Sequence, residues 1–238
     1  MRLLMTRPEP DASLSAQRLR SLGHEVIVSP VLQVTYSNEL LSWKSDAALV
    51  VTSKNGVRAL DALVTDEMRK KATVFTVGDA TAALASNAGF MSVTSASGTV
   101  DDLVDLIAGK KLAQVHYICG RDRNDGLETK LQRLGILIKS AERYHADFAS
   151  CLNEEAIKAF KNQDIDGVLL YSTRSAEAFN HLLKANKVSY STKQMTYFCL
   201  AKAITSVLDR EMGIHAVVAD RPNEQSLYDA IEAYVKTC

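Results

Sequence analysis

The segment that decides the fold is AALVVTSKNGV, residues 47–57, in which an apolar run leads directly into a turn of hydroxyl side chains. The apolar run predicts a strand over 47–52 that is buried on both faces, which is typical of a parallel sheet. A helix is predicted over 56–63. The same order recurs in GVLLYSTRSA, residues 167–176, where a second strand is predicted over 167–171. Both segments therefore indicate βα units.

Outward from these two segments, predicted strands and helices alternate along most of the chain. The other predicted strands cover residues 3–6, 25–29, 74–77, 91–94, 115–119, 197–200 and 216–219. The other predicted helices cover residues 12–22, 80–88, 100–108, 127–134, 154–160, 176–183, 204–211 and 224–235. Gly23, Gly89 and Gly213 follow three of these helices, at the position where glycine ends a helix most easily. The alternation predicts an α/β fold with parallel sheets.

The two halves of the chain echo each other. Residues 52–57 (TSKNGV) and 171–176 (YSTRSA) each follow a predicted strand, and residues 77–81 (VGDAT) and 201–205 (AKAIT) each lead into a helix. Two similar α/β domains are the simplest explanation. Chance similarity between βα turns is a competing explanation.

Two segments interrupt the alternation. Residues 31–36 are extended after Pro30, and residues 142–148 alternate between apolar and polar side chains with a period of two. We expect linker strands over 31–38 and 141–149, so that the chain crosses twice between two similar parallel-sheet domains of flavodoxin-like or Rossmann-like type. The predicted fold is two α/β domains joined by a two-stranded β-ladder, with relative motion between the domains.

Composition and charge exclude several classes of protein. The chain has 238 residues with 28 basic and 28 acidic side chains, so a strongly basic nucleic-acid-binding surface is not expected. Apolar residues make up 47%, but no apolar run approaches the roughly 18 residues of a membrane helix. The N-terminal sequence lacks the apolar core of a signal peptide. Cys119, Cys151, Cys199 and Cys238 are widely spaced, which favours reduced thiols and a cytoplasmic location.

The turns that follow the predicted strands are rich in hydroxyl and small side chains. They are Thr6-Arg7-Pro8, Thr52-Ser53, Gly78-Asp79, Gly120-Arg121 and Ser172-Thr173. Ligands of open α/β sheets bind beyond the carboxyl ends of the strands, and backbone N–H groups at helix starts bind anions. Each turn alone is explained as a helix cap, but five of them together favour an anionic ligand between the domains.

Familiar catalytic signatures are missing from the sequence. No G-x-G-x-x-G follows the first strand, and the spacing from Gly120 to Gly126 lacks the lysine of a phosphate loop, which disfavours a nucleotide-dependent enzyme. There is no H-E-x-x-H or G-x-S-x-G motif, and the scattered histidines indicate no metal site. Tyr144 lies on a predicted linker strand and could face a cleft, although its periodicity with Ala146 and Phe148 favours a packed strand aromatic.

An ordered set of motifs resembles the uroporphyrinogen-III synthase family. The set comprises Thr6-Arg7-Pro8, Pro30-Val31-Leu32, residues 52–57 (TSKNGV), residues 75–81 (FTVGDAT) with Gly89-Phe90, Cys119-Gly120-Arg121, Arg143-Tyr144 and residues 171–176 (YSTRSA). It spans nearly the whole chain in the order that the family shows. The chain departs from the family at residues 202–205 (KAIT), where many members carry Gly-Pro-Thr-Thr and where only Thr205 keeps a hydroxyl.

The resemblance implies a domain assignment and a reaction. One α/β domain would comprise residues 1–30 and 150–238, and the other would comprise residues 39–140. The implied enzyme is a lyase that cyclises hydroxymethylbilane, a linear tetrapyrrole with eight carboxylates, with loss of water and inversion of the last pyrrole ring. Its product would be uroporphyrinogen III of haem biosynthesis, and the resemblance implies no cofactor and no metal.

The resemblance also implies site residues. Tyr144 takes the position of the family tyrosine that is the candidate proton donor to the leaving hydroxyl. The substrate-binding residues that it carries over are Arg7, Thr52, Ser53, Lys54, Gly78, Thr81, Gly120, Arg121, Ser172, Arg174, Ser175 and Thr205. We expect a monomer without nucleic-acid or membrane partners, in transient contact with the enzyme that makes hydroxymethylbilane. The alternative is a non-enzymatic two-domain binder of a small anionic ligand, and the product isomer distinguishes the two.

Overall fold

The computed structural model describes residues 1–39, 48–123, 125–186, 195–208 and 215–237. The chain divides into two compact units, one comprising Met1–Val34 and Asp147–Cys238 and the other comprising Thr35–Ala146. Each unit contains one β-sheet with helices.

The elements are numbered in chain order. The strands are β1 (Arg2–Met5), β2 (Glu25–Val28), β3 (Leu32–Tyr36), β4 (Ala48–Val51), β5 (Thr73–Thr76), β6 (Ser92–Ser95), β7 (Gln114–Gly120), β8 (Leu137–Phe148), β9 (Gly167–Leu170), β10 (Thr196–Cys199) and β11 (His215–Val218). The α-helices are α1 (Asp11–Ser21), α2 (Lys54–Asp61), α3 (Asp66–Lys71), α4 (Asp79–Asn87), α5 (Val100–Gly109), α6 (Gly126–Arg133), α7 (Glu154–Lys161), α8 (Thr173–Ala185) and α9 (Glu224–Val235). A 3-10 helix covers Lys202–Val207.

The first unit is built on a five-stranded sheet of order β11-β10-β9-β1-β2. The neighbouring strands pair in parallel. Leu3 and Leu4 are fully buried but belong to two different clusters of core side chains. Successive side chains of a strand point to opposite faces, so a sheet with helices on both faces needs apolar residues at every position. The uninterrupted apolar runs in the sequence meet this requirement.

The second unit is built on a six-stranded sheet of order β3-β8-β7-β4-β5-β6. Strands β4 to β8 pair in parallel. The pairing of β7 with β8 shifts register between Cys119 and Gly120. The edge strand β3 lies beside β8, and the N–H of Ser37 donates to the carbonyl oxygen of Arg143 at 2.9 Å. The carboxyl ends of β4 and β7 are neighbours in this sheet, which brings the turns after them together.

The structure confirms the predicted α/β class with two sheets in which parallel pairing dominates. Cys119, Cys151 and Cys199 are free thiols, and the first and last of these are buried, whereas Cys238 lies outside the described residues. The strand predicted to begin at 141 begins at Leu137, because its first residues pair with β7. The helix α3 was not predicted.

The α-helix predicted over 204–211 is wrong where the structure describes it. Lys202–Val207 forms a 3-10 helix, and residues 209–214, including Gly213, lie outside the described residues. The hydroxyls of Thr205 and Ser206 donate to the carbonyl oxygens three residues earlier, at 2.8 and 2.7 Å. Such bonds and β-branched side chains compete with an α-helical turn.

Candidate functional site

A tyrosine, a serine and a glycine meet in the second unit. Ser53 follows β4 and caps α2, its Oγ accepting from the N–H of Gly56 at 3.0 Å. The same Oγ lies 2.8 Å from the phenol oxygen of Tyr144, which β8 presents. The fold thus joins the predicted proton donor to a predicted binding residue that lies 91 positions away.

Gly120 is the residue on which the ring of Tyr144 rests. The register of β7 and β8 places Gly120 opposite Tyr144. A Cβ on Gly120 would lie 2.7 Å from Cε2 and 2.8 Å from Cζ of that ring, which is closer than side-chain carbons approach. Gly120 was predicted as a substrate-binding residue, and the structure shows that its missing side chain makes room for the tyrosine.

The environment of Tyr144 keeps its phenol protonated. Burial raises the pKa of Tyr144, and its hydrogen bond with Ser53 partly opposes that rise. The ring also packs against the apolar cluster that includes Val51 and Ile118. The sequence left open whether Tyr144 is a packed strand aromatic or a functional side chain. Its ring packs, its hydroxyl contacts Ser53, and its functional role stays a prediction.

A cavity of about 360 Å³ adjoins this tyrosine within the second unit. This is within the usual size range of small-molecule sites. The residues that line it are Thr52, Val100, Tyr117, Asp122, Arg123, Gly126, Leu127, Lys130 and Tyr144. Of the predicted site residues, Thr52 and Tyr144 belong to this lining. Ser53 and Gly120 are not part of the lining, but both contact Tyr144.

The cationic side chains of the lining are held by acidic partners. Arg123 donates from Nε to Glu128 at 2.9 Å and from Nη1 to Glu142 at 2.7 Å. These two carboxylates raise the pKa of Arg123, so that its guanidinium is permanently charged. Lys130 is ion-paired with Asp101. The cavity therefore offers little uncompensated positive charge.

Seven of the nine lining residues were not predicted as site residues, and Tyr117, Arg123 and Lys130 are among them. Tyr117 lies two positions before Cys119 on β7, and Arg123 lies two positions after Arg121. Their closeness to the Cys119-Gly120-Arg121 motif was the available signal. The motif itself contributes through Gly120, whereas Arg121 lies 3.8 Å from Asp122 (Nε to Oδ1).

The other predicted residues of this unit stand at helix starts. Lys54 is the first residue of α2, and Gly78 caps α4. Thr81 is buried in α4 with 8% of its surface exposed. Of the described lining residues of the cavity, none is Lys54, Gly78, Thr81 or Arg121.

The first unit carries a turn that matches Ser53. Ser172 follows β9 and caps α8, its Oγ accepting from the N–H of Ser175 at 3.0 Å. The two hydroxyl oxygens lie 2.8 Å apart. The guanidinium of Arg174 lies 5.8 Å from the ring centroid of Phe148. The echo between residues 52–57 and 171–176 is therefore the same serine cap at the start of a helix.

Arg7 is engaged within the first unit. Its Nη1 donates to Glu224 at 2.8 Å and to Ser15 at 3.0 Å, and its guanidinium stacks over the ring of Tyr171 at 4.3 Å. Tyr228 donates to the same Glu224 oxygen at 2.6 Å. Arg7 therefore ties β1 to the start of α9, and its predicted role in substrate binding stays a prediction.

Within 1–39, 48–123, 125–186, 195–208 and 215–237, no three histidine, cysteine or acidic side chains are grouped so that they could hold a metal ion. Over the same ranges, no helix has the length and apolar character needed to cross a membrane.

Buried phenols make the fold sensitive to alkaline pH. Burial raises the pKa values of Tyr117 and Tyr171 to about 12, above the ordinary value near 10. Between these two values the unfolded chain loses the phenolic protons and the folded chain keeps them, so stability falls as pH rises from 10 to 12. For Tyr117 the loss amounts to at most about 3 kcal/mol. Urea unfolding at pH 9 and pH 11.5 measures this, and Tyr117→Phe should show a smaller fall. An identical fall in both proteins would contradict the prediction.

Two comparisons of the sequence with known proteins agree on one family. The family model of uroporphyrinogen-III synthase HemD matches residues 13–229. The uroporphyrinogen-III synthase of Saccharomyces cerevisiae is 25% identical over 209 residues, which cover 78% of this chain and 75% of the yeast protein.

Solved structures share the architecture. The uroporphyrinogen-III synthetase of Helicobacter pylori superposes with a TM-score of 0.66 at 18% identity, covering 98% of each chain. A mutant uroporphyrinogen III synthase of Thermus thermophilus gives a TM-score of 0.53 at 16% identity, covering 100% of each chain. The alternative of a non-enzymatic anion binder is not favoured by these relatives. Because the family model extends over most of the chain, the protein belongs to the uroporphyrinogen-III synthase family, and it is a cyclising lyase of porphyrin and haem biosynthesis.

Proposed function

We propose that Tyr144 protonates the departing hydroxyl of hydroxymethylbilane, and that the cavity beside it holds part of this tetrapyrrole while the ring closes to uroporphyrinogen III. The observation that carries the proposal is the hydrogen bond between Tyr144 and Ser53 at the cavity wall. A proton donor near the hydroxymethyl carbon assists loss of water. Burial keeps the phenol protonated until it meets the substrate.

Ser53 directs the phenolic proton of Tyr144. The Oγ of Ser53 accepts from the N–H of Gly56, and we infer that Ser53 donates its own proton to the phenol oxygen 2.8 Å away. With its oxygen accepting from Ser53, Tyr144 presents its proton to the substrate. The same bond stabilises the phenolate that forms, since hydrogen bonds to the charged form favour it.

The enzyme selects the isomer by holding the substrate in one geometry. The electron-rich pyrroles expel the hydroxyl readily, so selecting the carbon that attacks is the harder task. Holding a flexible substrate in one geometry supplies this selection. Carboxylates of the substrate are bound by hydroxyls and by backbone N–H groups at helix starts, which is consistent with a net charge of zero. Arg7, Lys54, Gly78, Thr81, Arg121, Ser172, Arg174, Ser175 and Thr205 are proposed contributors to this binding.

We also propose an oligomeric state, a compartment and a partner for the protein. The protein acts as a monomer in the cytoplasm, without nucleic acid or membrane, and receives its unstable substrate through transient contact with the enzyme that makes it. The balance of 28 basic against 28 acidic residues supports the absence of a nucleic-acid partner, and the free thiols of Cys119, Cys151 and Cys199 support a reducing compartment. Sedimentation equilibrium tests the oligomeric state, and a second species in the micromolar range would contradict it.

The reaction is tested by product identity. Metal-free protein incubated with hydroxymethylbilane should yield the type III isomer. Chromatography of the oxidised products separates this isomer from type I, which forms without steering. Type I alone would remove the proposed reaction for this chain.

Tyr144→Phe should lower kcat for type III formation by up to about 100-fold. General acids contribute roughly 10²–10⁴-fold, and the low end applies because the pyrroles favour departure of the hydroxyl and water partly replaces the phenol. The phenylalanine ring keeps the packing on Gly120. Initial rates and thermal melts of the wild type and the variant check this result.

A matched control removes a phenol elsewhere. Tyr234→Phe in α9 loses the hydrogen bond from Thr196 (2.9 Å) and should leave kcat unchanged. A folded Tyr144→Phe protein with full activity would exclude the acid role while leaving the family assignment intact.

A further inference from the structure

A second phenol lines the same cavity and is held in the same way. Tyr117 on β7 places its hydroxyl 3.0 Å from Oγ1 of Thr52. Both residues line the cavity, although only 4% of the surface of Tyr117 is exposed. Two adjacent residues of the turn after β4 thus each contact one tyrosine hydroxyl, Thr52 that of Tyr117 and Ser53 that of Tyr144.

The hydrogen bond between Tyr117 and Thr52 uses only one of their two hydroxyl protons. Each hydroxyl carries one proton, and their mutual bond uses one of the two. When Thr52 donates to the phenol oxygen, Tyr117 keeps its own proton, and because both residues line the cavity a ligand there can accept that proton. A buried hydroxyl costs free energy unless its hydrogen bonds are made, and phenylalanine would fill the same apolar position of β7. Packing alone would therefore favour phenylalanine over tyrosine at this position.

The charges around the cavity favour a neutral donor. Arg123 is held by Glu128 and Glu142, and Lys130 is held by Asp101. Asp122 also belongs to the lining, and its Oδ1 lies 3.8 Å from Nε of Arg121. The two cationic side chains of the cavity are therefore already ion-paired before a substrate carboxylate enters. Burial raises the pKa of Tyr117 to about 12, so its phenol stays neutral and able to donate at physiological pH.

We propose that Tyr117, oriented by Thr52, donates a hydrogen bond to a carboxylate of the bound tetrapyrrole and thereby helps to determine which ring substituent enters the cavity. Tyr117 is thus a substrate-binding residue, and Tyr144 is the proton donor. The inference rests on the proposed function, because it takes the tetrapyrrole as the ligand of this cavity.

The test compares Tyr117→Phe with Tyr144→Phe. A hydrogen bond to a charged group is worth roughly tenfold or more in binding, so Tyr117→Phe should raise KM for hydroxymethylbilane at least about tenfold and change kcat less than about twofold. Tyr144→Phe should show the opposite split. A second readout that needs no turnover is the Kd of uroporphyrin III, the stable oxidised product, measured by quenching of its fluorescence. This Kd should rise by a similar factor in Tyr117→Phe.

Thr52→Val provides a second variant of nearly the same shape. It removes the partner of Tyr117 and should raise KM and Kd in the same direction but by less, since the phenol itself remains. If the wild type formed no type III isomer but bound uroporphyrin III, and Tyr117→Phe weakened that binding, the proposed reaction would fail and the role of Tyr117 would stand. Unchanged KM and Kd in a stably folded Tyr117→Phe protein would overturn the inference.

Discussion

Replacing Gly120 with alanine is expected to lower the rate of type III formation by about 100-fold. The new methyl group would lie 2.7 Å from the ring of Tyr144, so the ring must move by most of an ångström. That movement breaks the 2.8 Å contact of its hydroxyl with Ser53. Misplacement of a catalytic group by about 1 Å costs roughly 10² in rate.

The control for this substitution is Gly109→Ala in the same unit. A Cβ on Gly109, the last residue of α5, meets no atom within 4 Å. Its rate should remain that of the wild type. The double variant Gly120→Ala with Tyr144→Phe should be no slower than Gly120→Ala alone, because the phenol is already displaced. A Gly120→Ala protein with the normal rate would contradict the placement of Tyr144 in the reaction.

Replacing Phe179 with alanine is expected to lower the free energy of unfolding by about 3–5 kcal/mol. Phe179 on α8 is fully buried in the first unit. Its ring lies 6.0 Å from that of Phe160 and 6.4 Å from that of Tyr197, centroid to centroid. Removing it leaves a cavity between α7, α8 and the sheet that these neighbours fill only in part.

Urea unfolding followed by circular dichroism measures this loss. The control is Leu14→Ala on α1, since 62% of the surface of Leu14 is exposed, and a change within about 0.5 kcal/mol is expected there. A loss below about 1 kcal/mol in Phe179→Ala would show that the core of the first unit repacks around the missing ring.

Local patterns were sufficient for most of the elements and for several helix caps. Ser53 and Ser172 cap helices by accepting from the N–H group three residues later. Thr99 with Asp102 forms a capping box at the start of α5. Each of these contacts depends on neighbours within one turn, so the sequence order reveals it. The 3-10 helix at Lys202–Val207 was not recognised, because apolar spacing alone does not distinguish it from an α-helix.

The length of β8 illustrates how context extends an element. Its first residues, Leu137 and Ile138, pair with Gln114 and Val115 of β7. The sequence indicated a strand only from about residue 141, where the period of two begins. Pairing with a neighbouring strand satisfies backbone groups whatever the side-chain pattern, and only the sheet shows where that pairing begins.

By itself the sequence determined the α/β class, the mainly parallel sheets and the serine-capped turns, because buried strands and helix caps depend on residues that are close in sequence. It also indicated the family, through the ordered set of motifs. Only the tertiary structure decided what these turns do. It placed Tyr144 against Gly120, joined Tyr117 to Thr52 across 65 positions, and engaged Arg7 with Glu224 across 217 positions. Such pairs depend on the order and register of strands, which no local pattern encodes. That is why the sequence could name Tyr144 as a candidate proton donor but could not show the serine that orients it, the glycine that makes room for it, or the second tyrosine beside it.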